Sequence, residues 1–241
     1  RINHPGQDQP NNGTSTLDDD IARHATKVFE MRNPAHAVEE GATRSLPERV
    51  VCETERLLLR EFSMDDLAGV QRYASDMRVV EYLTFGPNNE SDSVEFLRRC
   101  QIDRAAQPRQ DHAFAIVRQA DSELVGSCGL HLRPWRKRTA ELGYCLAYEF
   151  WGNGYAREAV AALVTYGFES LDLHRICAVA DPENVPSLRL LERLGFRREG
   201  HLRKDDYLRG QWRDSVVYAV LADEWRASPN RSAREPMADL T

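Results

Sequence analysis

The sequence lacks the features that mark membrane, secreted and nucleic-acid-binding proteins. None of its apolar runs approaches the roughly 20 residues that a membrane-spanning helix needs, and it shows no charged start followed by an apolar core, which would mark a secretion signal. The net charge of −6 argues against broad nucleic-acid binding, which favours a basic face. We therefore expect a cytoplasmic protein with no membrane and no nucleic-acid partner.

Cysteine is scarce and shows no metal-binding pattern. The five cysteines are Cys52, Cys100, Cys128, Cys145 and Cys177. Five is an odd number for disulfide pairing, and their spacings do not match those of metal sites. The last three lie in apolar, strand-like runs, which predicts buried free thiols. We expect no metal centre.

The composition and length predict one large globular domain with terminal extensions. The sequence is polar over residues 1–16, and the next amphipathic stretch predicts a helix from Leu17 to Arg32. We therefore divide the chain into a partly disordered extension over residues 1–49, a domain over residues 50–225 and a flexible tail over residues 226–241. The extension is either a helix packed on the domain surface or an arm that contacts a partner, for example in a homodimer.

Within the domain, alternating and helical patterns follow one another and predict an α/β fold. The expected strands are 51–62, 112–118, 123–131, 139–147, 175–180, 196–207 and 212–221. The expected helices begin near Ser63 and cover 91–106, 155–170 and 186–194, the last ending at Gly195 as its C-cap. This order predicts a mixed, mostly antiparallel sheet flanked by helices.

A short glycine turn joins a strand to a helix and is the most informative local feature. The sequence Trp151-Gly-Asn-Gly154-Tyr-Ala156 offers consecutive backbone N–H groups with little side-chain bulk at the start of a helix. Such groups suit a phosphate or pyrophosphate. The turn is not a P-loop, because no Gly-Lys-Ser/Thr follows, and it lacks the third glycine of the dinucleotide motif.

The turn resembles the pyrophosphate-binding motif of the GNAT N-acetyltransferase superfamily, Gln/Arg-x-x-Gly-x-Gly/Ala. Trp in place of Gln/Arg is similar to the branch of ribosomal-protein N-terminal alanine and serine acetyltransferases. Further matches to this branch are Thr54–Arg60, Ala140–Tyr144, Asn184–Ser187, Leu190–Phe196 and Asp206–Asp214. The resemblance covers roughly residues 50–225 and implies the GNAT fold, with β-strands that separate beside the bound cofactor.

The resemblance implies acetyl-CoA as the acetyl donor and gives a set of binding residues. The turn would hold the pyrophosphate, the strand before it would pair with the pantetheine arm, and an asparagine further along would contact that arm. The candidates are Leu146, Ala147, Trp151, Gly152, Asn153, Gly154, Tyr155, Ala156, Arg157 and Asn184. Arg157 adds to the case, because a cation in the first helical turn opposes the helix dipole unless an anion is near; alternatively, Arg157 points into water.

Three residues are candidates for proton transfer. Glu141 matches the glutamate base of several GNAT enzymes, and burial in an apolar strand would raise its pKa; alternatively it faces solvent. Ser187 is the candidate donor to the thiolate, because many GNAT enzymes use a tyrosine at the position that holds Leu191 here; Asn184 and Ser187 also read as helix-capping residues. Asp206 is a second candidate base; alternatively, it binds the α-ammonium group of the substrate or starts the hairpin turn. Because Asp205 is also acidic, the sequence does not decide which of the two aspartates occupies the matching position.

The acceptor remains open at this level. The resemblance implies direct transfer to a primary amine, most often a protein N-terminus in this branch. The alternatives are a small amine, such as an amino acid, polyamine or aminoglycoside, and a module that binds acyl-CoA without catalysis.

Overall fold

One eight-stranded sheet organises the computed structural model, which describes residues 49–133 and 136–229. The strands are β1 (Val50–Glu53), β2 (Leu57–Glu61), β3 (Asp111–Arg118), β4 (Glu123–Leu132), β5 (Thr139–Leu146), β6 (Arg175–Ala180), β7 (Arg197–Leu208) and β8 (Gln211–Leu221). Their order in the sheet is β1-β2-β3-β4-β5-β6-β8-β7. Neighbours are antiparallel except β5 and β6, which are parallel. The prediction of a mixed, mostly antiparallel α/β sheet is confirmed.

Six α-helices flank this sheet in the part of the chain that the structure describes. They are α1 (Leu67–Ala74), α2 (Met77–Val80), α3 (Glu90–Ala105), α4 (Tyr155–Glu169), α5 (Val185–Arg193) and α6 (Ala222–Ala227). Short 3-10 turns, Met64–Asp66 and Tyr148–Phe150, precede α1 and α4. The short helices α2 and α6 have no counterpart in the sequence prediction, because four to six residues carry too little periodicity to be read.

The two faces of the sheet carry different helices. Leu130 of β4 and Ile176 of β6 pack against Gly167, which places α4 on one face, hereafter the α4 face. On the opposite face, hereafter the α1 face, α1 places the Tyr73 hydroxyl beside Ser127 of β4. Both faces are apolar where the helices cover them, and the buried side chains of the two faces form one hydrophobic cluster.

The N-terminal strand prediction is wrong in one respect. The stretch 51–62 forms two antiparallel strands rather than one, because a tight turn over Thr54–Arg56 reverses the chain between β1 and β2. The Thr54 amide donates to the Leu57 carbonyl (2.9 Å), which closes the turn. Nothing in the run of leucines that follows marks this reversal.

Other local predictions are confirmed. Gly195 ends α5 at a φ of +89°, and the Phe196 amide donates back to the Leu191 carbonyl (3.0 Å), as in a glycine-capped helix end. The five cysteines are free thiols, buried except for Cys177, which is half-buried. The predicted helix from Leu17 to Arg32 and most of both predicted extensions lie outside the described residues. α6 crosses the expected boundary at residue 225, with Trp225 1% exposed.

Neither membrane-spanning helices nor metal clusters occur among the described residues. No helix within residues 49–133 and 136–229 is long and apolar enough to cross a membrane. The side chains of the same residues bring no three metal-type ligands together.

Candidate functional site

The separation of β5 from β6 creates an opening in the sheet. The two strands pair over three positions only, ending at Glu141 and Cys177. Beyond that point β6 stays with β8, while β5 stays with β4 as far as Leu146. The unpaired lengths of both strands therefore border a gap, as the resemblance implied.

The backbone of β5 points hydrogen-bonding groups into this opening. The Ala147 amide donates to the Val125 carbonyl (2.9 Å), so it is already used between β5 and β4. Because hydrogen-bonded and non-hydrogen-bonded pairs alternate in an antiparallel ladder, the peptide groups of Leu146 and Tyr144 point away from β4. Of the two predicted backbone partners, only Leu146 turns its amide toward the opening.

The glycine turn lies at the end of β5 and places the start of α4 beside the opening. Gly152 and Gly154 have φ values of +77° and +79°, a region where glycine is strongly favoured over other residues. The first intrahelical bond runs from the Glu158 amide to the Gly154 carbonyl (3.1 Å), so the amides of Tyr155 and Ala156 point out of the helix end. A Cβ added at Gly152 would meet no described atom within 4 Å, so the space over this residue, hereafter the cradle, is open.

Two of the predicted turn residues shape the turn. The Trp151 indole donates to the Leu146 carbonyl (2.9 Å), which ties the turn back to β5. The Asn153 side chain donates to the carbonyls of Phe150 and Trp151 (3.2 and 3.1 Å). Arg157 is exposed in the first turn of α4. Direct contact of any of these with a cofactor stays a prediction.

Arg56, in the turn between β1 and β2, contacts the glycine turn, and the sequence analysis assigned it no role. Its guanidinium pairs with Glu158 of α4 (2.7 Å) and donates to the Asn153 carbonyl (3.0 Å). The Thr54 hydroxyl also donates to Glu158 (2.6 Å). The β1–β2 turn is thereby fastened to the glycine turn about a hundred residues away. The signal was present, since Thr54 and Arg56 belong to the matched segment, but no role was assigned to them.

The start of α5 faces the same opening. The Asn184 side chain accepts from the Ser187 amide (3.3 Å), so its predicted capping role is confirmed. The Ser187 hydroxyl is hydrogen-bonded to the Tyr144 hydroxyl of β5 (2.8 Å). Leu191, at the position where the resemblance predicted a tyrosine in many GNAT enzymes, is 1% exposed and belongs to the core.

Glu141 lies on the other face of β5. The register between β4 and β5 is regular, so Glu141 and Tyr144 point to opposite faces, and Glu141 lies on the α1 face. The alternative that Glu141 faces solvent is wrong, because the residue is 2% exposed. Its carboxylate forms an ion pair with Arg133, whose own pKa is lowered by burial.

Asp206 lies within the β7–β8 ladder, opposite Arg213. The idea that it starts the hairpin turn is wrong, since Leu208 and Gln211 close that turn two residues later. Asp205 lies in a bulge of β7, where burial raises its pKa and the Ser215 hydroxyl lowers it by a smaller amount. Both carboxylates lie on β7, beyond the end of β6, and the sequence could not separate them.

Comparison with known proteins decides the family. A family model described as the acetyltransferase (GNAT) domain matches residues 56–197, more than half of the chain. The chain belongs to the GNAT acetyltransferase family. The N-acetyltransferase YnaD of Bacillus subtilis is 34% identical over 172 residues, covering 71% of this chain and 97% of that protein. These similarities make the protein an acyltransferase of the GNAT type.

Two further relatives differ in what their names say about the acceptor. YdaF of Bacillus subtilis, whose name proposes a ribosomal N-acetyltransferase, is 40% identical over 105 residues, or 44% of this chain and 57% of that protein. The structure of spermidine N-acetyltransferase from Vibrio cholerae, with CoA and spermine, is 26% identical with a TM-score of 0.62 and covers 70% of this chain and 98% of that chain. The family therefore includes both protein and polyamine acetyltransferases.

Proposed function

We propose that this GNAT enzyme transfers the acetyl group of acetyl-CoA to the α-amine of a protein N-terminus. The observation that carries the proposal is the opening between β5 and β6, with the glycine turn and the start of α4 at its edge. The residues present fit acetyl-CoA, because the open cradle over Gly152 leaves room for a pyrophosphate beside outward-pointing amides.

The binding roles follow from the positions of the backbone groups. The amides of Gly154, Tyr155 and Ala156, at the positive end of α4, would hold the pyrophosphate. The Leu146 amide would meet the pantetheine arm in the opening, and Asn184 would border it from α5. When bound, acetyl-CoA supplies an activated acetyl thioester at the gap between the strands.

The chain's own residues would handle the protons from opposite faces. Ser187, at the start of α5, would donate to the departing sulfur. The acceptor would approach from the α1 face, hereafter the acceptor face, where Glu141 would take the proton of the amine, directly or through water. Asp206 would bind the ammonium group of the acceptor or serve as a second base.

The charge distribution on the acceptor face favours an acceptor with one positive charge. Glu141 is neutralised by Arg133, and Arg213 pairs with both Asp181 (2.8 Å) and Glu183 (3.2 Å). A polyamine carries several positive charges and would have to displace these arginines, whereas a protein N-terminus carries one. The small-amine alternatives remain, and so does a non-catalytic acyl-CoA-binding module.

The first experiment is a calorimetric titration with acetyl-CoA, with desulfo-CoA and ATP as controls. Selective binding of the two CoA compounds supports the proposed site, and equal binding of ATP, or no binding, contradicts it. CoA release is then measured with a peptide bearing a free N-terminal alanine, the same peptide with a blocked N-terminus, and spermidine. Release with the free peptide alone supports the proposal. Release with spermidine alone assigns a small-amine enzyme, and no release with any amine leaves a binding module.

The base assignment has a matched control in the same chain. Glu61 is 3% exposed and pairs with Arg109 (2.7 Å), so Glu61→Gln and Glu141→Gln each break one buried ion pair. We expect both variants to lose stability, because each leaves a buried or half-buried arginine without its carboxylate partner. Only Glu141→Gln should lower kcat and change its pH profile. An unchanged profile in Glu141→Gln would exclude it as the base.

A possible homodimer is proposed through the N-terminal extension alone. Removal of residues 1–49, followed by measurement of the number of subunits in solution, tests this. A dimer that persists without the extension would show that the extension is not the dimer arm.

A further inference from the structure

Tyr144 is the side chain of β5 that reaches across the opening to α5. Its hydroxyl lies 2.8 Å from the Ser187 hydroxyl, and both residues are half-buried. Because side chains alternate along β5, Tyr144 lies on the α4 face, opposite to Glu141. Each hydroxyl can donate or accept, so the direction of this hydrogen bond decides where the remaining proton points.

The chemistry of the two hydroxyls favours the phenol as the donor. A phenol is a stronger acid than an aliphatic alcohol, so it donates the stronger hydrogen bond when the two meet. Burial raises the pKa of Tyr144 to about 12, so the phenol keeps its proton across the working pH range. With its oxygen accepting from Tyr144, Ser187 directs its own O–H away from that phenol.

We propose that Tyr144 is a positioning residue, which orients the Ser187 O–H into the opening between β5 and β6, toward the sulfur that leaves during acetyl transfer. The inference rests on the proposed function, in which Ser187 donates to that sulfur. Neither hydroxyl gives up its proton in this role, because an ordinary thiol, with a pKa of about 8.5, is a stronger acid than a phenol or an aliphatic alcohol. The sulfur therefore leaves as a thiolate, which accepts a hydrogen bond from Ser187. The hydrogen bond also polarises Ser187 and makes it a better donor, since chained hydroxyls strengthen one another.

A double-mutant cycle between Tyr144 and Ser187 tests the inference. Tyr144→Phe keeps the ring and removes the hydroxyl. We expect kcat to fall about 3- to 10-fold, as for the loss of one hydrogen bond, with the KM for acetyl-CoA within about twofold. In a Ser187→Ala background the same change should have no further effect on kcat, because no hydroxyl remains to be oriented.

A second tyrosine supplies the control for a merely structural role. The Tyr218 hydroxyl donates to Glu192 of α5 at 2.8 Å, so Tyr218→Phe removes a phenol bond of equal length from the same helix without touching Ser187. We expect kcat of this variant to equal that of the unaltered protein.

The outcomes separate the inference from the function on which it rests. If the unaltered protein transfers acetyl groups but Tyr144→Phe keeps full kcat, the positioning role is wrong and the proposed function stands. The same holds if Tyr144→Phe costs as much in the Ser187→Ala background as alone, or if Tyr218→Phe lowers kcat equally. If the unaltered protein transfers no acetyl group to any amine, both proposals fall.

Discussion

The exchange Gly152→Ala separates the fold of the glycine turn from its function. Gly152 has a φ of +77°, and the left-handed conformation costs an alanine about 1–2 kcal/mol. An added Cβ meets no described protein atom within 4 Å, so the backbone term is the main cost to stability. For a protein of this size the expected decrease in Tm is roughly 2–8 °C.

Gly195→Ala is the matched control. Gly195 has a φ of +89°, and a Cβ there also meets nothing within 4 Å, but the residue lies at the end of α5 that is remote from Ser187. We expect a similar decrease in Tm. Differential scanning calorimetry of both variants measures this term directly, without reference to a ligand.

The two variants should differ in their affinity for CoA. In Gly152→Ala, the new methyl group occupies the cradle proposed for the pyrophosphate and weakens one charged hydrogen bond, worth about 1.5–3 kcal/mol. The expected increase in Kd for acetyl-CoA is therefore about 10- to 150-fold, measured by titration calorimetry below both melting temperatures. Gly195→Ala should bind as the unaltered protein does. Equal affinities for the two variants would show that the cradle does not hold the pyrophosphate.

Three further predictions concern pH dependence and the acceptor face. Burial raises the pKa of Glu158, but hydrogen bonds from Thr54 and Arg56 outweigh this effect and keep the pKa below the ordinary 4.5. The contribution of ionised Glu158 to folding stability is therefore present above about pH 4.5 and is lost as the pH falls through the lowered pKa. Glu158→Gln should therefore flatten the acid limb of a Tm profile, and an unchanged limb would contradict the role of this pair. Burial lowers the pKa of His112 from 6.5 to about 4, so only the unfolded chain takes up its proton between these values and stability falls as the pH drops through this window; His112→Phe should remove that slope, and a persistent slope would point to another group. Arg209 donates to the carbonyls at positions 80, 81, 83, 85 and 86 (2.8 to 3.3 Å) and so holds this loop in place. Arg209→Met should therefore loosen the loop and raise the acceptor KM about 3- to 10-fold, while the Kd for acetyl-CoA stays constant. A raised Kd for acetyl-CoA with an unchanged acceptor KM would place the loop at the cofactor instead.

Local sequence signals predicted most of the strands and helices correctly, because each of these signals acts over a few residues. Asn184 before α5 and Gly195 after it mark that helix through hydrogen bonds within one turn of the chain. The glycine turn before α4 was also predicted from the sequence, because Gly152 and Gly154 lie two residues apart at the positions where the structure has positive φ values. The turn at Thr54–Arg56 was missed because it contains no glycine or proline to mark it, although hydrogen bonds between Thr54 and Leu57 close it. Its attachment to Glu158 joins residues that are remote in the chain and could not be read locally.

The amino-acid sequence by itself determined the mixed sheet, the glycine turn before α4 and the list of candidate residues, because periodicity, capping and glycine spacing are properties of short segments. Only the tertiary structure decided which candidates meet. It placed Ser187 against Tyr144 on one face of β5 and Glu141 against Arg133 on the other. Ser187 lies 43 residues from Tyr144 in the chain, and Arg133 follows β4 whereas Glu141 lies within β5. Only the packing of the sheet and its helices brings each pair together.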